Sequence, residues 1–307
     1  KNQMIPRVQY QPVPGRYNDR PQTMRNTLFL NRGFGLFSEL ANYAGITASD
    51  WSWCPVFMDV DLDGLEDVLI TNGVERNARH LDTIIKLKKQ RESKKMTNRE
   101  ILLARRVFPA QNTPNVAFRN LGELKFAESA SEWGFDTKGV SHGMACGDLD
   151  GDGDLDVVVN NLRAAAGVYR NNAAKPRIAV RLAGPPGNTA GIGARIEVEH
   201  AGQTQSQEMI GSGRYLSSDD YLRVFAMSGG NGKLKVIWPN LKETVVGQVE
   251  PNRVYWIRYE PTPAEPVASG TTAPIFKQLN FPAAKQHIET VGNETQNQPL
   301  MPWTLGQ

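Results

Sequence analysis

Asp148-Leu149-Asp150-Gly151-Asp152-Gly153-Asp154-Leu155-Asp156 places five aspartates at alternate positions in nine residues. Left alone, such a cluster repels itself and cannot be packed without a counter-charge. A divalent cation resolves the conflict, and oxygen ligands without nitrogen or sulfur suit Ca²⁺. In helix–loop–helix calcium sites, side chains bind from loop positions 1, 3 and 5, a carbonyl from position 7, and Gly at position 6 makes the sharp turn. Here these are Asp148, Asp150, Asp152, the Asp154 carbonyl and Gly153. Position 12, Glu in those sites, is Val159, so Asp156 closes the site instead. Val157-Val158-Val159 then reads as a strand. This is a calcium loop between two strands, not between two helices.

The loop has a twin 89 residues earlier, Asp59-Val60-Asp61-Leu62-Asp63-Gly64-Leu65-Glu66-Asp67, followed by Val68-Leu69-Ile70. The same shift carries Phe29 onto Phe118, Asn31 onto Asn120, Gly33 onto Gly122, Phe37 onto Phe126, Glu39 onto Glu128, Gly45 onto Gly134 and Asn72 onto Asn161. Residues 26–72 therefore recur without gaps, an internal repeat. A solvated acidic turn would not bring its glycine, its alternation and its flanking strands with it.

These units resemble the FG-GAP or VCBS repeats of integrin-α-like β-propellers. The resembling residues are Phe29-Leu30-Asn31-Arg32-Gly33 through Phe37 with Asp59 to Asp67, and Phe118-Arg119-Asn120-Leu121-Gly122 through Phe126 with Asp148 to Asp156. The resemblance implies that each unit is a propeller blade with Ca²⁺ in its loop. By position, Asp59, Asp61, Asp63 and Asp67 are ligands, with the Leu65 carbonyl. Asp148, Asp150, Asp152 and Asp156 are their counterparts, with the Asp154 carbonyl. The side chains of Glu66 and Asp154 are expected to point outward.

Bulk properties agree with a folded, water-facing chain. It has 307 residues, room for two domains, and 40% hydrophobic residues, too many for disorder. A net charge of +3 is too small to argue for a nucleic-acid partner. No run of about 18 apolar residues exists to span a membrane. No signal peptide is read at the start, which opens on Lys1 rather than Met. Cys54 and Cys146 each precede an aspartate loop by a few residues. We read them as buried free thiols rather than as a disulfide between neighbouring blades.

Residues 1–22, rich in Pro, Gln, Asn and Arg, read as an extended arm. Blades are expected over 23–172, with strands at Thr27–Asn31, Leu36–Leu40 and Trp51–Met58. Trp51 and Trp53 share a strand face, which suits packing between blades better than sugar stacking. Helical spacing replaces alternation from about 77 to 107, with a capping-box start at Thr97-Asn98-Arg99-Glu100. This reads as a helical hairpin inserted between two blades, and its basic run Lys86–Lys95 as a solvated face. His142 has no catalytic partner at a telling spacing and reads as structural. Val168-Tyr169-Arg170-Asn171-Asn172 is expected to begin a third unit.

Residues 176–260 change character. Arg177–Leu182, Gly191–Val198, Lys233–Ile237 and Val254–Tyr259 read as strands, the third stopped by Pro239. Gly191-Ile192-Gly193-Ala194-Arg195, Gly213-Arg214-Tyr215-Leu216-Ser217-Ser218 and Val236-Ile237-Trp238-Pro239 resemble the ASPIC/UnbV domain, which accompanies such repeats in secreted proteins of the cartilage acidic protein 1 type. Where that family has Phe-Gly-Leu-Gly, this chain has Phe225-Ala226-Met227-Ser228-Gly229. Residues 261–307 read as a Pro/Ala/Thr-rich linker and, from Ile275 to Phe281, the start of a further blade.

The expected fold is mainly β: partial FG-GAP/VCBS-type propeller blades with a helical insertion, plus a small β-rich ASPIC/UnbV-like domain. Two full and two partial blades do not close a ring, which takes roughly four to eight. The chain is thus expected to be part of a longer protein, or to meet a partner chain that supplies the remaining blades. Loops of this kind suit the millimolar calcium outside cells, so a secreted, cell-surface or periplasmic setting is expected. The expected function is a calcium-binding, non-enzymatic adhesion-type module for a protein or glycan, with two Ca²⁺ sites. A polysaccharide lyase or hydrolase and a structural surface component are the alternatives.

Overall fold

The computed structural model describes residues 25–93 and 96–260. The arm at 1–22 and the linker and blade start at 261–307 lie outside the described residues. The fold is mainly β, in several small sheets with a short helical insertion.

The short apolar runs become hairpins. β1 (Phe29–Asn31) pairs antiparallel with β2 (Phe37–Glu39) across a turn whose Gly33 adopts φ 80°. One helical turn, α1 (Ala41–Ala44), ends at Gly45, φ 84°. β3 (Ser52–Met58) and β4 (Asp67–Asn72) flank the first aspartate loop. After the insertion come β5 (Thr113–Pro114), β6 (Val116–Asn120), β7 (Phe126–Glu128) and β8 (Lys138–Gly139). β9 (Ser141–Gly147) and β10 (Asp156–Asn161) flank the second loop, and β11 (Gly167–Tyr169) follows.

The strands combine out of phase with the repeat. One sheet runs β3-β4-β6-β7, the other β11-β10-β9, and β5 pairs with β8. Each sheet thus takes its inner pair from one repeat and its outer strands from the next. This bears on two expectations. β11 pairs with β10, so the unit start expected at 168–172 also completes the second sheet, as β6 and β7 complete the first. The helices, α2 (Leu81–Ser93) and α3 (Asn98–Ala104) with a 3₁₀ turn at Arg105–Val107, interrupt a single sheet between β4 and β6, not the join between two blades. Thr97 caps α3 as its sequence predicts: its hydroxyl accepts from the Glu100 N–H, and the Glu100 carboxylate accepts from the Thr97 N–H at 2.9 Å.

The two sheets share a core of Cys54, Val56, Leu69, Met144, Cys146, Val157 and Val159. Alternation puts one face of each strand there. Both cysteines are free and buried. Trp53 packs between the blades: its ring lies 4.7 Å from His142 and 5.1 Å from Tyr215, and its Nε1–H donates to the Gly73 carbonyl.

Residues 177–258 form two further sheets around a second core. β12 (Arg177–Ala183) lies between β15 (Arg223–Ala226), antiparallel, and β18 (Arg253–Arg258), parallel. β13 (Arg195–His200) and β16 (Gly232–Ile237) are central to the other sheet, with β14 (Gln203–Glu208) and β17 (Glu243–Val249) at its edges. Ile178, Val180, Ile196, Val198, Phe225, Leu234, Val236 and Trp238 fill the space between the sheets. β14, β15 and β17 were not expected from the sequence. Gln203-Thr204-Gln205-Ser206-Gln207-Glu208 has no apolar alternation, and its Gln side chains instead bond across: Gln205 and Gln207 donate to the Ala226 and Val224 carbonyls at 2.8 Å.

Candidate metal centres

The two aspartate loops fold the same way because the same backbone donors hold them. In the first, Asp59 accepts from the N–H groups of Asp63 and Gly64 at 3.0 and 2.8 Å. In the second, Asp148 accepts from Gly151, Asp152 and Gly153 at 2.8–3.1 Å. The sixth residue, Gly64 or Gly153, turns the chain at φ 92° or 88°, a region that disfavours a side chain. The closing aspartate is fixed from two sides. Asp67 accepts from Val60 N–H (2.9 Å) and from Asn120 N–H (2.7 Å). Asp156 accepts from Leu149 N–H and Asn171 N–H, both at 2.8 Å.

This geometry brings Asp59, Asp61 and Asp67 together, with one carboxylate oxygen from each within 4.8 Å of the others, and likewise Asp148, Asp150 and Asp156. Asp63 and Asp152 stand outside these groups. Asp63 accepts from Leu65 N–H at 2.9 Å, and Asp152 from Asp154 N–H at 3.0 Å. Among the described residues, nothing donates to the Leu65 or Asp154 carbonyls.

The crowding has an electrostatic signature. Burial pushes the Asp59 carboxyl up to about 6 and Asp67 up to about 7, against the pull of their backbone hydrogen bonds, and the neighbouring aspartates add to the rise. Asp61 keeps a buried Oδ1 with no hydrogen bond, near Lys175 Nζ at 3.7 Å, while its Oδ2 meets Arg119 at 3.3 Å. Arg170 meets Asp150 at 2.7 Å. Surrounding cations thus neutralise part of the charge. An all-oxygen cluster with an unsatisfied buried carboxylate oxygen fits a hard divalent cation.

Two side chains expected to face outward do not. Asp154 is 1% exposed, and burial raises its carboxyl to about 7. Arg177, the first residue of β12, covers it: the guanidinium meets Asp152 at 2.9 Å and Asp154 at 3.5 Å, and donates to the Asp152 carbonyl at 2.8 Å. Glu66 faces a cavity of about 300 Å³ that Arg214, Asp219 and Arg223 also line, and burial pushes it up to about 7. Both corrections have one cause: although part of each loop is exposed, these two side chains abut the 177–258 region. Leu62 shows the same. Its backbone lies at φ 54° where the second loop has Gly151, and its side chain is buried against Ala179, Leu222, Val224 and Ala226.

The sequence reading passed over Asn120, Asn171 and Arg177 as site residues. The asparagines left a signal, since Asn120 recurs as Asn31. Arg177 left none, because its partners lie 23 and 25 residues back in the chain.

A family model described as an FG-GAP-like repeat matches residues 99–159, and one described as ASPIC and UnbV matches residues 184–264. No curated protein matches the chain.

Proposed function

Because this chain carries an FG-GAP-like repeat and an ASPIC/UnbV domain, we propose that it is a calcium-stabilised, non-enzymatic binding module that works outside the cell and recognises a protein or glycan. The two carboxylate groups, Asp59/Asp61/Asp67 and Asp148/Asp150/Asp156, carry this reading. With an ion bound, these residues stay ionised, and binding energy becomes folding energy. The ion's role is charge neutralisation; the backbone N–H groups already hold the loops in shape. The absence of chemistry is itself part of the proposal. It is supported by His142, whose ring packs edge-on against Trp53 rather than facing a nucleophile. The extracellular setting is supported by the resemblance to FG-GAP-type modules and by the millimolar calcium outside cells, which would keep such loops filled.

Isothermal titration of the chelator-treated protein with CaCl₂ tests the metal reading. Two sites are expected, with one lost in Asp61→Asn and the other in Asp150→Asn. No heat with calcium, or unchanged stoichiometry in both variants, would overturn it. Turnover on a polysaccharide panel that persists in both variants but fails in His142→Ala would overturn the non-enzymatic reading.

A further inference from the structure

Among the described residues, the β1–β2 hairpin is an outer hairpin without an inner strand. It is the counterpart, at the 89-residue shift, of β6–β7. The registers are the same: Phe29 faces Glu39 and Asn31 faces Phe37, as Phe118 faces Glu128 and Asn120 faces Phe126. The turns are the same too, with Gly33 N–H donating to Asn31 Oδ1 at 2.9 Å and Gly122 N–H to Asn120 Oδ1 at 3.0 Å.

Their other edges differ. β6 pairs with β4, placing Phe118 opposite Val68. Asn120 donates from its N–H to Asp67 and from Nδ2 to the Glu66 carbonyl at 3.0 Å. Asn171, in the second sheet, makes the same main-chain bond to Asp156. No described strand pairs with the outer edge of β1, and no described residue accepts from the N–H or Nδ2 of Asn31. The apolar cost is visible: Phe118 is 4% exposed, Phe29 59% and Phe37 60%.

We infer that this edge of β1, which no described strand pairs, is a docking site for the inner hairpin of a further repeat of this type. Its strand would be led by an aspartate loop whose closing aspartate accepts from Asn31 N–H. The asparagine specifies this occupant. In both complete cases, the asparagine N–H at this position binds the closing aspartate of a loop, so a generic strand would leave that contact unmade. The two loop strands in the chain are spent, since β4 lies between β3 and β6 and β10 between β9 and β11. A second copy of the described residues therefore offers no free loop strand. Residues 1–24 carry one aspartate, Asp19, and residues 261–307 none, so neither stretch holds a third loop. The inference stands on strand register and does not require that calcium be the ion.

The test extends the full chain at its N-terminus by a second copy of Ser141–Asn161, with residues 1–24 left as the tether. Hydrogen exchange at the Asn31 amide is followed by NMR. In the unextended chain the amide should exchange freely, and in the extended chain about 100-fold or more slowly. Asp156→Ala within the added copy should restore most of the exchange. Equal exchange with and without the added copy would overturn the proposal, whether the copy is folded elsewhere or unstructured, because β1 would then have failed to hold it. Slow exchange already in the unextended chain would overturn it too, because another part of the chain would own the edge.

Discussion

Leu62 occupies a backbone conformation that suits glycine, and the equivalent residue of the second loop is Gly151. A leucine there costs conformational energy that burial must offset. It does so by sinking into Ala179, Leu222, Val224 and Ala226 of the neighbouring sheets. Leu62→Ala keeps the strain and removes the burial. It should cost about 2–4 kcal/mol, read as a lower denaturant midpoint with an unchanged slope. Leu62→Gly loses the same contacts but relieves the backbone, so it should cost less than Leu62→Ala. The reverse order would mean that Leu62 is not strained. Arg177 plays the matching role at the second loop, where it is the cation for a buried Asp154.

At the scale of the element, each aspartate loop is a turn that its backbone donors shape and its own charge opposes. The sign of its pH dependence follows. Asp59 and Asp67 titrate at about 6 and about 7 in the folded loop, above the roughly 3.9 of an unfolded aspartate. The metal-free fold therefore binds protons more tightly than the unfolded chain. These groups favour folding most below about pH 4, and that contribution is lost as pH rises through about 6 to 7. Calcium competes with those protons. The rise in Tm that calcium produces should be larger at about pH 7.5 than at about pH 5. Equal shifts at both pH values would place the ion elsewhere.

Across the whole molecule, the two β regions meet through the loops and the strands that lead into them. Cys146 N–H donates to Asp219 at 3.0 Å, Ser217 Oγ–H to the Met144 carbonyl at 2.7 Å, and Asp220 N–H to the Cys146 carbonyl at 2.8 Å. An ion held in either loop would therefore act on both regions at once. Heating the calcium-loaded protein should give one cooperative transition, and chelation should lower it as a whole. Two transitions, with the upper one indifferent to chelator, would show that the repeats and the 177–258 sheets are thermodynamically separate.

The aspartate loops, their bordering strands, the 89-residue repeat, the helical insertion and most strands of the 177–258 region were legible in the chain alone. Each rests on local physics: alternation, a glycine at a positive φ, a capping box, a run of β-branched residues. Which strands share a sheet was not legible. A repeat read along the chain suggests one blade per unit, but pairing joins β4 to β6 across the helices and leaves β1, among the described strands, without an inner partner. The outward placement of Glu66 and Asp154 failed for the same reason. Strand alternation says which side chains share a face, and only long-range packing says what covers that face. Here Arg177 and the cavity beside Arg214 and Arg223 cover it, brought there by residues distant in the sequence.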